Sequence, residues 1–427
     1  MKIFFNQYQK NVTKSKHFVD DDMFPLDEHQ KPSIKFIAYY LPQFHRISEN
    51  DTWWGKGFTE WTNITKALPR YLGHIQPRLP RDLGFYNLRN LESLKEQSEL
   101  MKRGGLHGIC IHDYWFDRYK VLDTPLKLIL ENKDIDIKFC LNWANENWTR
   151  KWDGLDQDVL LKQNYDVNDS TGYAKSILPA LNDPRYIKIG DRPLIMIYRP
   201  SLIPNAKEVF AKWREFLKSE GAGDPYLVMA QTFGDHDPRV YGLDAAAGFP
   251  PHNGGSLLQN QKNKLKLFDK SFKGVVRSYH DMVKATLENK NTDYQLFPGV
   301  CPSWDNEARR PGKGTSYFNA SPEAFEDWLV EAGKQTITYE SSERLVFINA
   351  WNEWAEGAIL EPDQHYGYAH LTAVRNALMK LAEFEKNGKT LTRNLYPVYC
   401  KLSYINYIPN IIRAGFRRFK LNYAKTD

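Results

Sequence analysis

The chain has 427 residues, 42% of them hydrophobic, with 58 Lys and Arg against 52 Asp and Glu for a formal charge of +6. That length fits two or three average domains or one barrel with long insertions, and a mean hydropathy of −0.59 excludes an integral membrane protein. The charge is uneven: Lys401, Arg413, Arg417, Arg418, Lys420 and Lys425 stand against Asp427 alone, a net +5 after residue 398 that leaves the body near neutral and without a nucleic-acid face.

In chain order, the opening Met-Lys-Ile-Phe-Phe runs at once into Asn, Gln and Lys, so no signal-peptide core forms and the protein reads as cytoplasmic. Residues 1–33 show no clear period and read as an arm. Eight short apolar runs follow: Ile34–Leu41, Gly108–Phe116, Lys138–Trp143, Pro193–Tyr198, Tyr226–Gln231, Ala245–Pro250, Phe297–Trp304 and Arg344–Trp351. Helical periods separate most of them, at Leu88–Arg103, Tyr173–Leu181, Ala206–Ser219, Phe272–Leu287 and Pro322–Thr336, with weaker ones at Pro125–Glu131 and Pro238–Leu243 and a last helix at Tyr368–Asn387. Strands alternating with helices predict parallel βαβ units, and eight of them predict a (β/α)8 TIM barrel over residues 34–390, with an open doubly wound sheet as the alternative. Residues 391–427 form a basic tail in which Ile412, Phe416 and Phe419 share a helical face, a pattern for peripheral contact with a membrane. Cys110, Cys140 and Cys301 lie in the strand-like runs without a Cys-x-x-Cys pair and read as buried free thiols.

A parallel barrel opens every strand's C-terminal end onto one face, where active sites are built. The residues at those ends are polar and aromatic. They include Tyr40, Gln43 and His45; Asp113 and Tyr114; Asn142, Trp143, Asn145, Glu146 and Trp148; then Tyr198, Gln231, Trp304 and Asp305. Trp351, Asn352, Trp354 and Glu361 flank the eighth. The loop from Gln43 to Tyr86 adds Trp53, Trp54, Glu60 and Trp61, either to line a site or to make a small core of its own. Amides bond hydroxyls in both senses and indoles stack on the apolar face of a pyranose, so these residues predict sugar binding. Glycosidic cleavage generally needs two carboxyl groups. Glu353-x-x-Glu356, leaving the eighth strand for a turn, can place both in one pocket, where like charges resist joint ionisation and keep one as an acid. Asp305 is positioned in sequence to pair with Arg309 or Arg310. There is no Walker A, no Gly-x-Gly-x-x-Gly after a strand, and no metal-ligand spacing among His107, His112 and His252, so no cofactor and no metal is expected.

Lys35–His45, Gly57-Phe58-Thr59-Glu60-Trp61, Asn142-Trp143-Ala144-Asn145-Glu146 and Asn349–Gly357 together resemble the WbsX-type family, which carries a glycosyltransferase label and recurs in clusters making lipopolysaccharide O-antigen. The last motif is also similar to that of glycoside hydrolase family 99, endo-acting α-mannosidases and mannanases whose barrel ends in Asn-Glu-Trp-His-Glu-Gly and keeps a Glu-Pro like Glu361-Pro362. That resemblance implies Glu356 as general acid/base and Glu353 as base for the sugar's 2-hydroxyl, with a 1,2-anhydro intermediate, retention and no metal. Ala355 stands where that family has His, which puts its mannose preference and subsite contacts in doubt. Three readings follow. The first is a retaining, endo-acting hydrolase that processes a bacterial surface polysaccharide. The second is a transferase or transglycosylase in its assembly, and the third an inactive glycan-binding barrel.

Overall fold

The computed structural model describes residues 2–21, 26–27, 30–116, 119–150, 155–165, 170–255, 257–288 and 292–387. Residues 1–383 form one compact unit and 384–427 another, of which only the last turn of a helix is described; the basic tail 391–427 lies outside the described residues.

The first unit is a closed barrel. Its strands are β1 (Lys35–Tyr40), β2 (Gly108–Phe116), β3 (Lys138–Trp143), β4 (Arg192–Ile197), β5 (Tyr226–Gln231), β6 (Ala245–Gly248), β7 (Gln295–Phe297 and Gly299–Val300, either side of Pro298) and β8 (Leu345–Ile348). They pair in that order, all parallel. β8 returns to β1, Leu345 opposite Lys35, which closes the ring. β6 meets the first piece of β7 and β8 the second, so Pro298, which cannot donate to a ladder, sits at the break. A Cβ on Gly299 would lie 1.8 Å from the Gly248 carbonyl oxygen, so only glycine permits this approach of backbones.

Helices Leu91–Arg103, Thr124–Glu131, Ala206–Ser219, Tyr279–Glu288, Pro322–Thr336 and Ala369–Asn387 surround the strands. Their starts are legible: Asn90 accepts from the Glu92 amide, Ser321 accepts from the Ala324 amide, and Pro322 follows in the first turn. Two expected helices are corrected. The run 272–287 begins as a strand, Val275–Ser278, paired in parallel with Thr315–Phe318 outside the barrel, because β-branched Val275 and Val276 find a partner there. The run 173–181 is broken into Gly172–Ser176 and Leu178–Leu181, with Pro179 in the first turn of the second piece. The expected strand 297–304 starts two residues earlier and stops at Val300. In the N-terminal segment Lys2–Asn11 is helical, and Asn11 Nδ2 donates to the carbonyls of His74 and Gln76 at 2.8 Å each, fixing this helix to the loop after β1.

Successive side chains along each strand alternate between the interior and the helical layer. Tyr39 turns inward, its ring 4.7 Å from Phe249 and 5.7 Å from Phe347. Tyr40 turns outward and its hydroxyl donates to Gln97 of helix Leu91–Arg103 at 2.8 Å.

Candidate active site

Beyond β8 the chain makes a two-residue strand, Asn352–Glu353, paired antiparallel with Ala358–Ile359 across the turn Trp354–Glu356. Gly357 closes that turn at φ +63°, a conformation other residues rarely take. Asn352 pins the hairpin to the end of β1: Oδ1 accepts from the Leu41 amide at 2.8 Å and Nδ2 donates to its carbonyl at 3.0 Å. Glu353 and Glu356 thereby meet at the barrel mouth around one guanidinium. Arg309 Nη2 lies 3.0 and 3.1 Å from the two Glu353 oxygens and 2.8 Å from Glu60 Oε2, while Nη1 lies 2.8 Å from Glu356 Oε1. Gln43 Nε2 donates to Glu60 at 2.9 Å and Asn63 Nδ2 does so at 2.9 Å.

Three carboxyl groups thus share the Arg309 guanidinium, Glu60 and Glu353 buried and Glu356 partly open to the cleft. Burial pushes Glu353 well above the usual carboxylate range, opposed by Arg309 and reinforced by Glu356 and Glu60. Burial raises Glu356 too, again against Arg309. Three ionised carboxylates beside one guanidinium would leave two uncompensated charges, which favours the protonated form of Glu353 and Glu356. Burial also lowers His112 to about 4, so the imidazole that lines the cleft is neutral.

The cleft above this cluster has a volume of about 240 Å³. Of the expected residues, Gln43, Trp53, Trp54, Glu60, Tyr114, Glu146, Trp148, Tyr198, Glu353 and Glu356 line it. Trp148 forms part of an aromatic wall, 5.8 Å from Trp53 and 5.2 Å from Tyr114, both edge to face. Glu146 pairs with Arg199 at 2.5 Å. The long loop serves both expected purposes. Trp53, Trp54, Phe58 and Glu60 face the cleft, while Trp61 is buried between Phe44, at 4.6 Å, and Trp354, at 5.6 Å.

Other expected site residues turn away, and the strand period explains several. Tyr40, Asp113 and Trp143 point into the helical layer, where Asp113 pairs with Lys120 at 2.8 Å and Trp143 stacks on Tyr173 at 4.6 Å. Asn142 is buried below the cleft against His112, and His45 is fully buried. Asn145 exchanges hydrogen bonds with the Arg199 backbone, and Gln231 donates to Tyr294 at 3.0 Å. Trp351, Asn352 and Trp354 are buried in the base of the hairpin. Trp304 packs beside His252. Glu361 sits beneath the hairpin, accepting from Trp354 Nε1 at 2.6 Å, Gln97 Nε2 at 2.6 Å and Tyr86 at 2.9 Å; burial raises it to about 7.

Asp305 does not pair with Arg309 or Arg310. It lines a separate cavity of about 180 Å³, where His74 Nε2 meets it at 2.6 Å and Gln76 Nε2 at 2.8 Å. The Arg70 amide donates to His74 Nδ1 at 2.9 Å, so the proton of this imidazole is on Nε2, directed at Asp305. The Asp305 amide in turn holds the Glu356 carbonyl at 2.6 Å. Arg309, His112, His252 and Phe249 also line the cleft. Alternation with Tyr114 marks His112 as inward-facing, but no local pattern marks Arg309. Among the described residues, no group of three or more His, Cys, Asp or Glu could hold a metal ion, and no helix is long and apolar enough to cross a membrane.

Residues 36–374 match the family described as Glycosyltransferase WbsX. The uncharacterized protein WxcX of Xanthomonas campestris pv. campestris is 44% identical over 345 residues, which is 81% of this chain and 49% of that one, so the chain spans about half the length of this relative. Among solved structures, a glycoside hydrolase-like protein superposes with a TM-score of 0.54 at 13% identity, over 85% of this chain and 98% of that one. The GH99 endo-alpha-mannosidase of Bacteroides thetaiotaomicron does so with a TM-score of 0.51 at 15% identity, over 84% and 98%. At these identities the two structures show a shared barrel fold. With its closed eight-stranded barrel and a family match over most of its length, the chain belongs to the WbsX glycosyltransferase family.

Proposed function

We propose that this chain is a carbohydrate-active enzyme that cleaves glycosidic bonds inside a bacterial surface polysaccharide, with retention of configuration. The observation that carries the proposal is the pair Glu353 and Glu356, clamped on neighbouring nitrogens of Arg309 at the floor of an aromatic cleft. In the first step Glu353 takes the proton of the sugar's 2-hydroxyl and that oxygen bonds to the anomeric carbon. The bond to the leaving oxygen breaks as Glu356 delivers its proton to it. Water then adds to the anomeric carbon from the original face and gives a proton to Glu356. The bond from carbon 1 to oxygen 2 opens and oxygen 2 recovers its proton from Glu353.

Burial raises both glutamates, so the pair titrates together and the pH profile reports its two macroscopic values. Arg309 favours the ionised form that Glu353 needs as a base. The neutral His112 and the Trp53–Trp148–Tyr114 wall supply a hydrogen-bonding and stacking surface for the ring. The shared barrel supports a family-99-like hydrolase reading, since one solved structure of that fold is an endo-alpha-mannosidase by name.

The family description favours a second reading, transfer. The same intermediate opened by a sugar hydroxyl in place of water gives transglycosylation, so hydrolysis and transfer are competing outcomes in one site. Glu356→Gln and Glu353→Gln test the core of both readings. Each is expected to slow turnover by about a thousandfold or more, several kcal/mol, with the fold intact. Near-normal rates in either variant would remove the mechanism.

A further inference from the structure

Resting on the glycan reading above, we infer that Phe233, outside the cleft described so far, is a stacking platform for a further sugar of a polymeric ligand. Phe233 is 53% exposed in a barrel-mouth turn, directly after the buried Gln231 and Thr232. Its backbone has φ +50°, a left-handed conformation that costs a bulky residue free energy, and Gly234 follows at φ +90°. The strain is held in place from several sides. The Asp235 amide donates to the Thr232 carbonyl at 2.9 Å, and the Asp235 carboxylate accepts from Ser201 at 2.5 Å and Tyr241 at 2.7 Å. Thr232 Oγ1 donates to the Tyr198 carbonyl at 3.2 Å, tying the turn to the end of β4.

One face of the ring is supported by Arg199, whose guanidinium carbon lies 4.0 Å from the centroid. Arg199 is also the ion-pair partner of Glu146 in the cleft wall. His252, another cleft residue, lies 5.0 Å away by ring centroids. A strained, anchored and exposed aromatic ring gains little from burial, while a flat apolar face beside a sugar cleft gains from stacking on the C–H face of a pyranose. The platform therefore lengthens the binding surface on the β5 side and selects for oligosaccharides over single sugars.

The test is calorimetric titration of the full-length chain carrying Glu356→Gln, so that bound glycan is not consumed. The probes are size-fractionated oligosaccharides of increasing length from delipidated Xanthomonas O-chains and from α-mannan. Phe233→Ala is expected to weaken the longest fragments about fivefold to tenfold and leave the shortest unchanged. Phe233→Trp should restore the longer ones. Phe233→Gly, which relieves the left-handed strain, should melt no lower than the parent while losing the same affinity. Equal affinity in Phe233→Ala at every length would overturn the platform alone. Equal weakening at every length with a lowered melting temperature would overturn it in favour of a structural role. Absence of binding to all probes by the parent would overturn the glycan reading, and the platform with it.

Discussion

Replacing Arg309 with Met removes the guanidinium that, among the described residues, touches Glu60, Glu353 and Glu356 together. A buried carboxylate stripped of its cation costs about 3–5 kcal/mol, because the remaining charge stays uncompensated. The cluster has an escape, which is to bind protons. Glu353 and Glu356 already have raised affinities for protons, and loss of Arg309 raises them further. A raised carboxyl contributes stability that is present below its unfolded value and lost as pH rises through its folded value. The cost of Arg309→Met is therefore small near pH 5 and grows toward about 3–5 kcal/mol at pH 8. A barrel of this size unfolds with large entropy, so each kcal/mol shifts the melting temperature by roughly 1–2 °C. Thermal melts of the wild type and Arg309→Met at pH 5, 6.5 and 8 should show a gap that widens with pH. An equal gap at all three values would refute the reasoning, since it would mean that the carboxyl cluster does not titrate with the loss of Arg309.

Glu361→Gln should blunt the fall of wild-type stability between pH 5 and 8, because Glu361, raised to about 7, ionises in that window at a cost of about 3 kcal/mol; melts across pH check it. Asn352→Ala frees the buried amide and carbonyl of Leu41 and should cost about 2–4 kcal/mol and loosen the hairpin carrying both glutamates, visible as lower stability together with lower turnover. Trp148→Ala should raise KM about tenfold and change kcat less, since it removes stacking surface and leaves the carboxyls in place. The proposed steps draw on no metal, so chelator treatment should leave turnover intact; loss that Mn²⁺ restores would favour the transferase reading.

Much of the fold is legible in the sequence because strands and helices carry different periods. Gly108–Phe116, Lys138–Trp143, Ala206–Ser219 and Pro322–Thr336 have the bounds expected of them. The failures have local causes, such as the tertiary partner Thr315–Phe318 that draws Val275–Ser278 into a strand. For the cleft, strand-end position is informative but coarse. Of two adjacent residues such as Asp113 and Tyr114, the pleat allows only one to face the interior, and applying that alternation would have removed Asp113 and Trp143 and kept His112. Arg309 belongs to a loop whose direction is set by the fold of residues 305–316, so nothing in its own neighbourhood announces that it meets Glu60 and Glu353. Asp305 has basic neighbours in sequence at Arg309 and Arg310, whereas its partners His74 and Gln76 come from a distant loop.

The most direct test of the central claim is time-resolved proton NMR of the first anomer released from a cleavable oligosaccharide by the wild-type chain. If Glu353 drives the 2-hydroxyl onto the anomeric carbon and Glu356 directs water to the same face, two displacements occur and the first product keeps the substrate's configuration. Mutarotation then appears only later. A first-formed product of inverted configuration would contradict the account, because a single displacement has no use for a base at the 2-hydroxyl.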